Sequence, residues 1–425
     1  MPSRLFALLR GSRADAWHGF VRVGVNAAAR VGLGVGIARS ASTESFAIWV
    51  ALGTVEVLAA TVLSSGWLTA LASIAPRLSR AEGDALLAAG ARRGLLWSAL
   101  TTALLMALAP VAAILGVDPL VALASAASTG AWLSSTVCAT LLVASFRSAT
   151  AAQAQALAYL PAFLALGICA AQGSDPLLAV FLASAGGQLG AALWMDRALP
   201  AVPRDAVSAE RLHEVAVAGR VALFGSLANS VCTRVQPFVL AALGGPLAVG
   251  LYGAANTLAG PLRVFAGAVG DVLRPRLAKH QGPHGDAATA RRLLALAALS
   301  IAGGGAVLLG ACTWYGDAIG TAIFGERFRG LGRVLPAAAS FVLLAALVHV
   351  LVVALQTRSL AGTRLATTAR TWAAAVALLL VGPACAVDGA RGAFWSMAAG
   401  EAVFLVPVLR ALARLDATRL ATVRP

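Results

Sequence analysis

Stretches of about twenty apolar residues follow one another along nearly the whole chain, separated by short segments rich in arginine, proline or glycine. A bilayer core about 30 Å thick takes about 20 residues of helix, so each stretch reads as a transmembrane helix. Twelve are expected, at 16 to 37, 44 to 66, 93 to 116, 119 to 146, 150 to 171, 176 to 196, 217 to 241, 247 to 272, 292 to 315, 333 to 356, 365 to 386 and 392 to 411. Composition agrees: 59% of the 425 residues are hydrophobic and 12% charged, about half the charged share of a soluble domain. Too little polar surface is left to solvate such a body in water, which excludes an ordinary soluble globule. The expected fold class is therefore an all-α polytopic membrane protein.

The formal charge of +15 would suit a nucleic-acid binder only if it formed an exposed basic face. Instead the arginines fall between apolar stretches and alternate with topology. Arg4, Arg10 and Arg13 precede the first span, and Arg77, Arg80, Arg92 and Arg93 the third. The same side receives Arg147, then Arg197, Arg204 and Arg211, then Arg274, Arg276, Lys279, Arg291 and Arg292, then Arg358 and Arg364, and the C-terminal tail. Opposite loops carry Asp118, Asp175 and Asp388, with 316 to 332 (Arg327, Arg329) as the exception. The bias puts both termini in the cytoplasm and the protein in the cytoplasmic membrane. The basic N-terminus lacks a compact apolar core with a small-residue cleavage site, and Leu5, Phe6, Leu8 and Leu9 allow a short interfacial helix there. Lys279 is the single lysine, so arginine at a given site is weak evidence for phosphate recognition. Cys138, Cys169, Cys232, Cys312 and Cys385 show no paired spacing and read as packing residues, with no metal site.

The chain also repeats itself. IAPRLSRAEGD, ending at Asp84, recurs as LRPRLAKHQGPHGD, ending at Asp286. Trp49 corresponds to Tyr252, and Asn26 and Asn229 precede those aromatics by the same distance. Two six-span bundles follow, 1–199 and 217–425, joined by a cytoplasmic linker at 200–216 that holds Pro200 and Pro203. Both begin in the cytoplasm, so a pseudo-two-fold axis along the membrane normal relates them, and a substrate site is expected in a central cavity. No stretch within the chain is polar and long enough for an ATPase or glycosyltransferase domain. Energy is expected from an ion gradient or from the substrate gradient.

The segment from Gly244 to Lys279, GGPLAVGLYGAANTLAGPLRVFAGAVGDVLRPRLAK, resembles the polysaccharide-transporter branch of the multidrug/oligosaccharidyl-lipid/polysaccharide (MOP) exporter superfamily, which includes the O-antigen flippases. Gly250, Tyr252, Ala255, Pro261, Pro275 and Leu277 fill the places of that branch's pattern, and IFGERF at Ile323 to Phe328 resembles its loop before the tenth span. The resemblance implies a flippase that moves a polyprenyl-diphosphate-linked oligosaccharide to the outer leaflet by alternating access, alone or with polysaccharide polymerase or export machinery. It also implies two six-helix bundles around a cationic cavity. Twelve spans rather than fourteen set the chain apart from the peptidoglycan-precursor flippases of the same superfamily.

Ionisable residues inside spans are costly unless they face protein or a watery cavity. Arg22, Arg30, Glu56, Arg220, Arg234, Arg263, Asp271 and Glu401 are such positions. Arg22 and Arg220 lie near cytoplasmic ends, where a long side chain reaches the surface. Asn26 with Arg30, and Asn229 with Arg234, each fall roughly on one helix face. Arginine keeps its charge and its donors at every physiological pH, so Arg30, Arg234 and Arg263, with Asn26, Asn229, Arg22 and Arg220, are the candidate diphosphate contacts. The competing reading pairs these arginines with Glu56 or Glu401 as helix-holding ion pairs. Glu56 and Glu401 are in turn the candidate sites for H+ or Na+ coupling. No other cofactor is expected. Asp271 beside Arg274 reads as a surface pair and His349 as a packing histidine. Gln153, Gln155 and Gln188 suit either sugar hydroxyls or interhelical hydrogen bonds.

Three rivals remain. A drug or cation exporter on the same fold would favour acidic rather than arginine-rich spans. A glycan polymerase or ligase would need acid/base groups in a substantial outer loop, which the sequence lacks. A silent scaffold in an export complex is the third.

Overall fold

In the computed structural model, residues 13–61, 66–75, 78–114, 116–145, 147–199, 207–281, 286–358 and 360–422 are described. The expected interfacial helix before residue 13, Arg77 and Arg204 lie outside them, as do the side chains of Asn229 and Asp271. No strand occurs among the described residues. The helices are α1 (Arg13–Ser40), α2 (Thr43–Ala60), α3 (Gly66–Ile74), α4 (Arg80–Ala107), α5 (Ala109–Ile114), α6 (Pro119–Ala144), α7 (Ser148–Ala158) and α8 (Leu160–Gln172). Then come α9 (Leu177–Ala198), α10 (Ala209–Arg234), α11 (Gln236–Gln281), α12 (Ala287–Phe324), α13 (Leu331–Arg358) and α14 (Leu360–Thr422).

Where the residues are described, each expected span falls mainly on helix, with informative departures at the ends. α4 begins thirteen residues before the third span because Ser79 and Glu82 form a reciprocal capping box there. It ends at Ala107, and α5 restarts with Pro110 in its first turn, where a missing N–H costs nothing. Pro161 likewise sits in the first turn of α8, so the fifth span is two helices meeting at Tyr159. α11 kinks at Gly245 (φ 70°) and α14 at Asp388 and Gly389 (φ 51°), the latter separating the eleventh from the twelfth span. Side chains with a Cβ rarely adopt those positive φ values.

Among the described residues, seven helical stretches are long and apolar enough to cross a membrane: Pro119–Ala144, Ser148–Gln172, Leu177–Ala198, Glu210–Gly270, Ala288–Phe324, Leu331–Thr357 and Gly362–Ala411. Glu210–Gly270 and Gly362–Ala411 each hold two expected spans.

The exceptional segment 316 to 332 is mostly regular. α12 runs on to Phe324, Asp317 accepts from the amides of Gly330 and Gly332 at 3.2 and 2.9 Å, and Arg329 pairs with Glu326 at 2.9 Å.

The chain packs as two units, Met1–Leu223 and Phe224–Pro425. In the first, Leu71, Leu86, Val137, Leu141 and Val215 form one core, and Cys138, Ala139, Ala151, Ala154 and Met195 a second. In the other unit, Val348, Leu355, Ala366, Ala369, Phe404 and Val408 pack together. Small residues in these seams let helix backbones approach closely, as helix association in lipid requires. Large apolar side chains point outward instead: Leu299 is 68% exposed, Val307 74% and Leu379 76%, the pattern of a lipid-facing surface. All five cysteines are buried free thiols.

The repeat is visible within each unit. Trp49 packs against Phe181 with ring centres 5.0 Å apart, and its counterpart Tyr252 stacks on Phe394 at 4.8 Å. The second span thus meets the sixth through an aromatic pair, and the eighth meets the twelfth in the same way. The match does not extend to the helix starts. Asp286 caps α12, accepting from Ala288, whereas Asp84 lies inside α4, whose cap is Ser79.

Candidate functional site

In the first unit, α1 carries Asn26 and Arg30 one turn apart. The Asn26 carboxamide donates to Gln155 Oε1 of α7 at 2.7 Å. The Arg30 guanidinium lies over the Trp132 ring of α6, 4.5 Å from its centre, a cation–π contact. Tyr159 and Glu56 are near enough to act on Arg30 electrostatically. Arg30 stands 17 residues, about 25 Å of helix, beyond the start of α1, and a charge at that depth needs protein or water rather than lipid around it. Gln188 accepts from the Ser135 hydroxyl of α6 at 2.6 Å, and Gln153 is exposed. Gln155 and Gln188 therefore make the interhelical bonds that were one of their two expected uses.

In the second unit, Tyr252, Asn256 and Arg263 share a face of α11. Arg263 donates from Nη2 to Asn256 Oδ1 at 2.8 Å and lies 5.4 Å from the Phe341 ring centre of α13. Arg234 and Arg263 both act electrostatically on Tyr252, whose hydroxyl donates weakly to the Thr233 carbonyl at 3.5 Å. Glu401 is 3% exposed and accepts from Arg370 Nη1 at 2.5 Å, while its Oε2 has no hydrogen-bond partner among the described residues. Arg370 in turn lies over the Phe404 ring at 4.2 Å, and Glu401 acts on Arg263. For Glu401 this is the ion-pair alternative, with a partner in the eleventh span that the list of intramembrane charges omits. Arg370 was legible: it stands five residues inside the apolar stretch 365 to 386. Trp132, Tyr159 and Asn256 carry no such signal, since an aromatic or an amide in a span is unremarkable.

The other candidates scatter. Arg22 is half-buried on α1, and Arg220 is exposed on α10. His349 packs against Gly270, with Arg274 and Arg370 as its charged neighbours. Among the described residues no three His, Cys, Asp or Glu side chains converge as metal ligands would.

The two units thus differ in electrostatics. Around Arg30 the charges balance, with Glu56 as the near carboxylate. In the second unit Arg370 pairs with Glu401, Arg263 lies within electrostatic reach of that carboxylate, and Arg234 and Arg263 both act on Tyr252. The second arrangement can hold an anion through charge-assisted hydrogen bonds in a low-dielectric setting.

No protein-family model matches the chain, and no curated protein matches it. Solved structures do match over nearly its full length. An inward-facing multidrug resistance MATE family transporter of the MOP superfamily superposes with a TM-score of 0.69 at 15% identity, covering 92% of this chain and 94% of that one. A mutant of the Vibrio cholerae MATE transporter VcmN gives 0.70 at 13% identity, with 96% and 98% covered. A MOP superfamily transporter from Pyrococcus furiosus, described as having a binding pocket of reversed polarity that suggests a different function, gives 0.68 at 16% identity, with 95% of each covered. Chain length, helical content, the internal repeat and these likenesses agree that this is a membrane protein with the two-lobe, all-helical fold of the MATE transporters of the MOP superfamily.

Proposed function

We propose that the protein is an alternating-access transporter of an anionic lipid-linked substrate, a polyprenyl-diphosphate-linked oligosaccharide carried from the cytoplasmic to the outer leaflet. The observation that carries this reading is the arginine excess in the second unit, where Arg370 pairs with Glu401, Arg263 lies within reach of the same carboxylate, and Arg234 joins Arg263 beside Tyr252. A cation exporter gains nothing from such a group, because like charge repels its substrate from a low-dielectric site. A diphosphate gains several charge-assisted hydrogen bonds from guanidinium donors. Arg30 supplies a further cation in the first unit, deep in the first span. The termini lie in the cytoplasm on the arginine distribution of the loops. Glu401 is engaged with Arg370, which weighs against it as an ion-coupling site.

Deleting the gene and extracting the lipid-linked glycans tests this. The expected result is complete single repeat units on the cytoplasmic leaflet, cleared by the wild-type gene but not by Arg234→Ala/Arg263→Ala. Single units exposed on the outer leaflet would show that flipping survives and would place the defect in polymerisation or ligation. Normal glycans together with sensitivity to lipophilic cations would favour the multidrug-exporting alternative.

A further inference from the structure

The tripeptide Ala-Arg-Arg ends at Arg93 where the third expected span begins, and it recurs ending at Arg292 where the ninth begins. Arg93 and Arg292 are both exposed, and neither has a carboxylate within ion-pair distance among the described residues. Of the nearby acids, Glu82 is held in the Ser79 capping box and Glu214 of α10 pairs with Arg211 at 2.8 Å. The two arginines differ in what lies beneath them. The Arg93 guanidinium lies over the Trp67 ring of α3, 4.5 Å from its centre, whereas Arg292 makes no ring contact among the described residues. Such a stack holds a long side chain in place and lowers the entropy lost when it binds. Trp67 brings a second donor, because its indole Nε1 is buried with no hydrogen-bond partner among the described residues. A shallow pocket lined by Trp67, Gly94, Trp97, Ser98 and Leu133 adjoins the stack.

Below this cation runs an apolar ridge. Leu96, Leu100 and Leu104 follow Arg93 at helical spacing on one face of α4 and are 60%, 51% and 60% exposed. From Arg93 to Leu104 is about 16 Å of helix, the hydrocarbon depth of a single leaflet. A fixed cation at the head of a ridge one leaflet deep matches one lipid molecule. One guanidinium and one neutral N–H suit a phosphodiester, and with no carboxylate beside Arg93 a headgroup carrying its own ammonium gains nothing there. We propose that the Arg93–Trp67 stack binds the headgroup of an anionic phospholipid, in the leaflet nearer the arginine-rich loops, with an acyl chain along Leu96, Leu100 and Leu104. The site lies within the first unit and does not depend on what the protein transports.

The test uses the purified full chain in detergent, with native mass spectrometry reading the binding of dioctanoyl phosphatidylglycerol, phosphatidylcholine and diacylglycerol. Wild type is expected to bind phosphatidylglycerol about fivefold more tightly than phosphatidylcholine, the preference one arginine near a membrane surface gives. Arg93→Ala should erase that difference. Trp67→Phe keeps a ring under Arg93 but loses the N–H, and should weaken both phospholipids about fivefold. Both variants should bind diacylglycerol as wild type does, which shows that they are folded. Arg292→Ala, which removes an exposed arginine with no ring beneath it, should change nothing. Equal binding of the two phospholipids by wild type, or an equal effect of Arg292→Ala and Arg93→Ala, would overturn the site in favour of diffuse surface charge. Displacement of phosphatidylglycerol by inorganic phosphate alone would overturn it in favour of a soluble anion.

Discussion

The two units carry the same aromatic contact between matching spans, yet their polar interiors are made from different chemistry. Trp49–Phe181 and Tyr252–Phe394 are near-identical in spacing, while Gln155 and Gln188 in one unit stand where Arg370 and Glu401 stand in the other. A repeated scaffold can thus keep its packing and change its electrostatics by exchanging two side chains. Amides bond across helices without needing a counter-ion. A buried carboxylate does need one, and its loss is severe.

That contrast predicts unequal sensitivity at matched positions. Arg370→Ala leaves Glu401 buried without its ion-pair partner and is expected to cost about 3–5 kcal/mol, read as a large drop in the thermal unfolding midpoint in detergent. Arg370→Ala/Glu401→Gln should recover most of the loss. Gln155→Ala, at the matching site, removes one neutral bond to Asn26 and is expected to cost only about 1–2 kcal/mol. Equal losses at the two sites would mean that the exchange of chemistry carries no energetic difference.

Where packing rather than charge decides, the units should respond alike. A Cβ on Gly187 would lie 2.1 Å from the Ala158 carbonyl oxygen, and one on Gly392 1.9 Å from the Ala384 oxygen. Neither backbone atom can rotate away, so Gly187→Val and Gly392→Val should each cost about 1–3 kcal/mol by overpacking, measurable by the same melts.

The smallest effect is expected outside the membrane. The Ser79 hydroxyl and backbone amide hold the Glu82 carboxylate below the usual glutamate range. A depressed folded-state value means that the contribution is present above the unfolded value and is lost as pH falls through the folded one. Acidification below the ordinary glutamate range should therefore slightly loosen the start of α4, seen as faster amide exchange there, and Glu82→Gln should remove the pH dependence. The first turn of α12, capped by Asp286 without a capping box, offers the comparison.

Much of the fold was legible because lipid imposes a length on every span. The apolar stretches fall on helices, and the repeat read from Trp49 and Tyr252 leads to matching contacts. Helix ends were less legible, since capping depends on single side chains such as Ser79 and Asp286 that the repeat does not keep in register. Half of the candidate site could be read from charges in apolar stretches, which yields Arg30, Arg234, Arg263 and Glu401. Their partners could not: Gln155 is 129 residues from Asn26, and Trp132 is 102 from Arg30, distances that only packing closes. Arg220 shows the opposite limit, because a charge in an apolar stretch can simply reach the surface.

The central claim is that the arginines of the second unit select an anionic substrate. Reconstitution into vesicles, with a fluorescent short-chain prenyl diphosphate glycan in one set and a lipophilic cation in another, tests it most directly. The account predicts translocation of the glycan by wild type, at least tenfold slower with Arg263→Ala, and no movement of the cation. Movement of the cation by wild type, with the glycan left where it began, would contradict it.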